Sequence, residues 1–264
     1  MLIVGHGLVT IHYAAPAGIK SQLVFDHERF APWTVLTAAY VHASTRHLMS
    51  NLVGYWVSGG IVYWLCSAQG RQRWFWRTTI LFLVALPILV NLTSYGMFQS
   101  LELIVTTRGF SGVVAGNVGF ILVALSRWLA DRHDYQLGMT VGQILFVLLL
   151  GEIALIYVGH PSLVMLALFG AAFTLSIGRL LQRGLQQTPT PAERQQVALE
   201  AAFVTAITAM LATFIWMLFP AQIVQHGNQV DIIGHAAGFL WGVVLAGLTI
   251  VPTSGFQERL DVSV

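Results

Sequence analysis

Seven stretches of about 20 mostly apolar residues dominate the chain, at about 47–66, 78–98, 111–129, 139–158, 161–180, 197–219 and 232–251. At about 1.5 Å per residue each can cross a hydrocarbon layer of about 30 Å. Within that layer no water is present to satisfy the backbone, so such runs fold as helices. The apolar start, Met1 to about Ala15, reads as a further, shorter helix that is retained rather than cleaved. Charged residues make up only 9% of the chain, against about 25% in a soluble domain. So little charge cannot cover a surface for water. The expected fold is all-α: a polytopic transmembrane bundle of about eight helices, one membrane domain over 1–264, with the lipid bilayer as its solvent.

Several function classes drop out on chemistry. The net charge of +2 is small and scattered, which gives no nucleic-acid footprint. A single cysteine, Cys66, excludes an internal disulfide and a cysteine-based metal site, and its apolar surroundings suit a packing role. His27-Glu28 opens a false zinc motif, because Ala31 stands where a second histidine is required. No metal and no cofactor is expected. The stretch Gln186 to Pro191 is a local linker, and no fixed-period repeat is present.

Basic residues set the expected orientation. With the N-terminus inside, the inner connections and tail hold Arg71, Arg73, Arg77, Arg127, Arg132, Arg179, Arg183, Arg194 and Arg259. The outer ones hold Lys20, Arg29, Arg46 and Arg108. The bias predicts that both ends face the cytoplasm, as an even number of spans requires, in a multi-pass protein of the plasma membrane. The runs at 47–66, 111–129 and 232–251 then all point inward. Their starts bring His47, Asn51, Ser111 and His235 to within about 10 Å of the outer edge. A serine, two histidines and an asparagine from three distant segments thus share one depth.

Spacing sharpens the pattern. His47 and Asn51 stand at i and i+4, on one helix face. His235, Gly238 and Gly242 form a stripe at i, i+3 and i+7. Gly112, Gly116 and Gly119 form a comparable groove on the serine helix. Small residues let membrane helices approach closely, and two such stripes face to face would bring Ser111 to His235. A serine becomes a nucleophile when a base lies within about 3 Å, and a neutral imidazole is the usual base.

These residues carry a resemblance. His42-Ala43-Ser44-Thr45-Arg46-His47-Leu48-Met49-Ser50-Asn51 resembles the HxxxxHxxxN motif of the rhomboid intramembrane serine proteases. Gly109-Phe110-Ser111-Gly112 resembles their GxSG motif, with Gly116 and Gly119 at the glycine positions that follow. Gly234-His235-Ala236-Ala237-Gly238, with Gly242, resembles their histidine helix. Trp33 resembles the tryptophan of their first loop. The resemblance implies a core of helices at about 1–15, 47–66, 78–98, 111–129, 197–219 and 232–251, with 139–181 as an extra hairpin at its periphery. It also implies roles. Ser111 would be the nucleophile and His235 its general base, while the Ser111 N–H, His47 and Asn51 would hold the oxyanion. Gly109, Gly112, Gly116, Gly119, Gly234, Gly238 and Gly242 would serve packing, and His42 would position the first loop.

Two departures from that pattern concern packing: Ala115 stands where the family often has an aromatic residue, and Thr34 where an arginine commonly follows the tryptophan. The implied partners are single-pass or polytopic membrane-protein substrates, cut near the outer leaflet, with 197–219 as the lateral gate. A catalytically inactive relative that only binds membrane proteins typically lacks the serine or the histidine, and this chain keeps both. A transporter would show two related halves, and none is visible. Two further residues carry separate expectations. Glu152 is an intramembrane carboxylate with a structural or helix-pairing role. Asp231, one turn before His235, is expected to be an exposed loop residue.

Overall fold

The computed structural model describes residues 1–102, 105–158, 190–221, 224–225, 228–229 and 231–250. Nine α-helices lie among the described residues: α1 (Leu2–Ala14), α2 (Ala17–Gln22), α3 (Thr34–Thr37), α4 (Thr45–Ala68), α5 (Gln72–Ser100), α6 (Ser111–Arg132), α7 (Tyr135–Val158), α8 (Pro191–Leu218) and α9 (Ile232–Leu248). A 3₁₀ turn (Ala38–Tyr40) follows α3. The architecture is all-α, with two small additions. Strand β1 (Phe25–Asp26) pairs antiparallel with β2 (Thr106–Thr107), and β3 (Val224–Gln225) with β4 (Asn228–Gln229). The expected run at 161–180 lies outside the described residues.

Among the described residues, four helices are long and apolar enough to cross a membrane: α5, α6, α7 and α8. Of the eight expected helices, four meet that criterion among the described residues, and the one at 161–180 lies outside them. Helix α4 has 24 residues and thus the length, about 36 Å. Its asparagine, serines and glycines lower its mean hydropathy and keep it out of that set. Helices α1 and α9 are apolar but shorter, at 13 and 17 residues. The stretch 16–46 is more structured than a loop, since α2, β1, α3 and the 3₁₀ turn occupy it.

The chain divides into two units: Met1–Ile121 with Val224–Val264, and Leu122–Ile223. In the first, α9 packs on α5. Polar groups mark that seam: Trp74 Nε1 donates to the Ala246 carbonyl at 3.0 Å, and Trp241 Nε1 to Thr93 Oγ1 at 3.1 Å. Trp74, Phe82, Phe120 and Phe239 fill the space around it, all nearly inaccessible to solvent. The two indoles bury apolar area while keeping a partner for their one polar group. Helix α1 lies on α4, with Gly5 against the ring of Trp56.

Helix α5 carries Pro87 in its interior. Proline has no N–H, so the carbonyl four residues earlier, that of Leu83, loses its helical partner. The Tyr40 hydroxyl donates to this carbonyl instead. The 3₁₀ turn is thereby pinned to α5 at the place where the helix is chemically open.

The second unit holds the C-terminal half of α6 with α7 and α8. Gly138 of α7 lies against the Ser126 carbonyl of α6, where a β-carbon would come within 2.5 Å. Phe203 of α8 meets Trp128 with ring centroids 5.0 Å apart. Glu200 of α8 accepts from Arg132 and His133, both at 2.9 Å. Only 22% of the apolar window of α7 and 28% of that of α8 is buried, so most of their surface is left for lipid. Glu152 of α7 is half-buried in this apolar surface.

Candidate active site

Helix α6 begins at Ser111, directly after a turn whose shape depends on Gly109. Gly109 has φ +119°, a conformation that side chains resist. Space forbids a side chain as well. A β-carbon there would lie 2.5 Å from His47 Cε1 and 3.5 Å from Asn51 Nδ2. The turn before the serine therefore rests against the two polar residues that α4 presents one turn apart.

Two backbone bonds hold this turn. The Gly109 N–H donates to the Ala38 carbonyl at 2.9 Å, and the Phe110 N–H to His42 Nε2 at 3.3 Å. His42 is buried and its ring meets that of His47 edge-on, with centroids 5.1 Å apart. Burial first, then the nearby His47 and His12, brings the His42 pKa down to about 3. It stays neutral, as an acceptor for Phe110 must. His42 thus positions the turn before Ser111 as well as the loop that carries it. Ser44 caps α4, its hydroxyl accepting the His47 N–H at 3.2 Å, which fixes the start of that helix.

The histidine helix meets the serine helix backbone to backbone. A β-carbon on Gly238 would lie 2.3 Å from the Gly112 carbonyl oxygen, and one on Gly242 2.4 Å from that of Gly116. One on Gly119 would lie 2.5 Å from the Phe239 carbonyl. The two small-residue stripes face each other. One detail differs from the sequence expectation. The missing side chains of Gly112 and Gly116 make room on α5, for Val90 at 3.1 Å and Leu86 at 2.2 Å. Their backbones alone touch α9. Ala115 lies in the same contact, its β-carbon 3.1 Å from where Gly238 would carry one, so an aromatic side chain would need space the seam does not have.

Ser111 and His235 line one cavity of about 30 Å³, together with Gly109, Asn91, Thr107 and Asp231. That volume holds one or two water molecules. His235 is buried and Ser111 is partly exposed. The Asn51 amide has no partner for its nitrogen among the described residues, as is also true of the Tyr55 hydroxyl and the Trp128 indole nitrogen. Asn51 is buried, yet Nδ2 makes no hydrogen bond to a described residue. A buried amide donor left unpaired costs about 1–3 kcal/mol, so its retention calls for an acceptor that arrives later.

Asp231 is not the exposed loop residue expected. It caps α9, with Oδ1 accepting the Gly234 N–H at 2.7 Å and Oδ2 facing the Ser94 hydroxyl at 3.5 Å. Burial raises its pKa to about 6, against the opposing pull of those two donors. Gly234 is the residue that admits this cap, because a β-carbon would fall 2.2 Å from Asp231 Oδ2.

Sequence inspection did not single out Asn91 and Thr107, which also border the cavity. The available signal was an asparagine in the middle of an apolar run, which by default marks a functional position in a membrane helix. Compared with protein-family models, with curated proteins and with solved structures, the chain finds no match.

Proposed function

We propose that this chain is an intramembrane serine protease of the rhomboid kind, in which Ser111 attacks a peptide carbonyl and His235 accepts its proton. The observation that carries this reading is the unpaired, buried Asn51 amide beside Gly109 and His47, at the head of the serine helix. A site prepared for a developing oxyanion needs donors that are fixed and unsatisfied before the reaction. The Ser111 N–H supports the same role, since the first N–H groups of a helix have no partner within it.

In this reading the substrate's scissile carbonyl carbon takes a bond from Ser111 Oγ, and the hydroxyl proton passes to His235. The carbonyl oxygen gains the negative charge and accepts hydrogen bonds from the Ser111 N–H, the Asn51 amide and the His47 imidazole. Collapse of this intermediate breaks the C–N bond, with His235 returning the proton to the leaving amine. Water, deprotonated by His235, then releases the acyl group from Ser111. Proton transfer requires Ser111 Oγ within hydrogen-bond reach of the His235 ring, and the two residues line the same cavity. A carboxylate behind the histidine would be expensive in this medium, which accounts for a two-residue catalytic pair.

The substrate class follows from the backbone. A membrane helix hides its carbonyls in internal hydrogen bonds, so a cleavable one carries small or helix-breaking residues near its outer end. The reading has both termini in the cytoplasm, the cavity near the outer leaflet of the plasma membrane, and the 139–181 segment outside the catalytic core.

The test is cleavage of a membrane-anchored reporter by purified protein, alongside labelling with a serine-directed fluorophosphonate. Ser111→Ala and His235→Ala are each expected to abolish cleavage with the fold retained. Wild-type-like cleavage by Ser111→Ala would end the serine-protease reading.

A further inference from the structure

The serine turn is tied to the rest of its unit by a buried polar chain that the mechanism above does not use. Asn91 of α5 is 5% exposed, and both ends of its amide are engaged. Its Nδ2 donates to the Val35 carbonyl at 2.7 Å, and its Oδ1 accepts from the Thr107 hydroxyl at 3.2 Å. With the Thr107 hydrogen committed to Asn91, its oxygen takes a hydrogen from His27 Nε2 at 3.1 Å. That assigns the neutral Nε2–H form to His27, which is buried against Phe25 and Phe98. The direction of every bond in the chain is thereby fixed.

The two segments that Asn91 joins are the two that set the position of Ser111. Val35 belongs to α3, and the next turn supplies the Ala38 carbonyl that holds the Gly109 N–H. Thr107 lies in β2, four residues before Ser111, and is held in register by Phe25 of β1. Tyr40 anchors the same 3₁₀ turn to α5 at the Leu83 carbonyl, two helical turns from Asn91. Both segments therefore take their reference from one face of α5. Both Asn91 and Thr107 also border the cavity that Ser111 lines.

We infer that Asn91 is a positioning residue for the serine turn, holding the strand before Ser111 and the segment after Trp33 in register through Thr107 and Val35. The inference rests on the proteolytic reading for its effect on rate, but its geometric content does not. Asn91 touches no reacting atom in the mechanism above. Its loss lets Gly109 and Ser111 drift relative to His47 and Asn51, which changes the chemical step and leaves substrate docking intact.

The experiment uses Thr107→Val, which removes the hydroxyl at nearly constant volume, and Thr107→Ser, which restores it. Asn91→Leu is the more drastic companion. Thr107→Val should lower kcat by about tenfold to a hundredfold with KM within about twofold, the penalty of slight misplacement. Thr107→Ser should recover most of the wild-type rate. In parallel, hydrogen exchange of the 105–113 amides should speed up by at least about tenfold in Thr107→Val and Asn91→Leu and stay near wild type in Thr107→Ser. Unchanged exchange in Thr107→Val would overturn the inference, as would equal losses of kcat in Val and Ser variants. If the wild type cleaves nothing, the proteolytic reading fails, and exchange at 105–113 alone decides whether Asn91 and Thr107 hold the turn.

Discussion

The two halves of α6 are packed by different means. In the first unit its N-terminal half meets α9 with nothing larger than the Ala115 methyl between the backbones, through Gly119, Gly238 and Gly242. In the second unit its C-terminal half meets α8 through side chains: Trp128 on Phe203, and Arg132 and His133 on Glu200. Backbone contact has one solution, because a carbonyl oxygen cannot move aside. Side-chain contact has several, because rotamers adjust. The helix is held by unyielding backbone contact in the half that carries the candidate nucleophile. It is held by adaptable contacts where it carries only packing residues. Lipid gives helices no hydrophobic reason to associate, so close backbone approach is the strongest means available for such a fixed contact.

The largest expected effect comes from filling the glycine seam. Gly238→Ala puts a β-carbon 2.3 Å from the Gly112 carbonyl, and neither backbone can yield without moving a helix. A loss of about 3 kcal/mol, the upper end of overpacking penalties, is expected in thermal unfolding in detergent. Reporter cleavage should vanish with it. A Gly238→Ala variant that unfolds like wild type would mean the seam is looser than described.

Asn51→Ala should separate activity from stability within the same unit. It removes one oxyanion donor of three, so cleavage should fall by about a hundredfold. Its Nδ2 has no partner to lose among the described residues, so the unfolding midpoint should change little. A large stability loss with modest kinetic effect would assign Asn51 to packing.

Acid should weaken the first unit through its buried histidines, with protonation of Asp231, whose pKa burial raises to about 6, offsetting part of the loss. Burial holds His27 near pKa 4, with Asp26 pulling the other way, and His42 near 3, both below the ordinary value of 6.5. The unfolded chain then binds protons first as pH falls, so stability is full above about pH 6.5 and declines below it. Each histidine contributes a loss of about 2 kcal/mol by about pH 5. Denaturant unfolding at pH 7.5 and pH 5, with His27→Gln as the less sensitive variant, checks the sign. A midpoint that does not move with pH would refute it.

In the second unit the effects shrink. Arg132 is 45% exposed, so breaking its pair by Glu200→Gln should cost about 1 kcal/mol at most. Leu150→Ala, on the lipid-facing surface of α7, should stay within about 0.5 kcal/mol in the same unfolding assay. If either exceeded Gly238→Ala, the contrast between the two halves of α6 would be lost.

Helix formation and candidate chemistry were legible in the residues because both depend on local properties. Apolar length alone determined α5, α6, α7 and α8, since a segment in lipid must satisfy its own backbone. The i, i+4 spacing of His47 and Asn51, and the glycine stripes beside Ser111 and His235, follow from 3.6 residues per turn. What fills a glycine's empty space is not local. Gly112 and Gly116 looked alike with Gly119 on the sequence, yet the first two chiefly admit side chains of α5, while Gly119 directs its missing β-carbon at the backbone of α9. Asp231 read as an exposed loop residue because nothing nearby in sequence announces Ser94, which lies 137 positions earlier and faces it across the α5–α9 seam. Asn91 and Thr107 gave no periodic signal, since a polar chain running through His27, Thr107, Asn91 and Val35 joins four separate segments. Tertiary structure decided these partners because a hydrogen bond or a β-carbon acts over a few ångströms of space, whatever its separation along the chain.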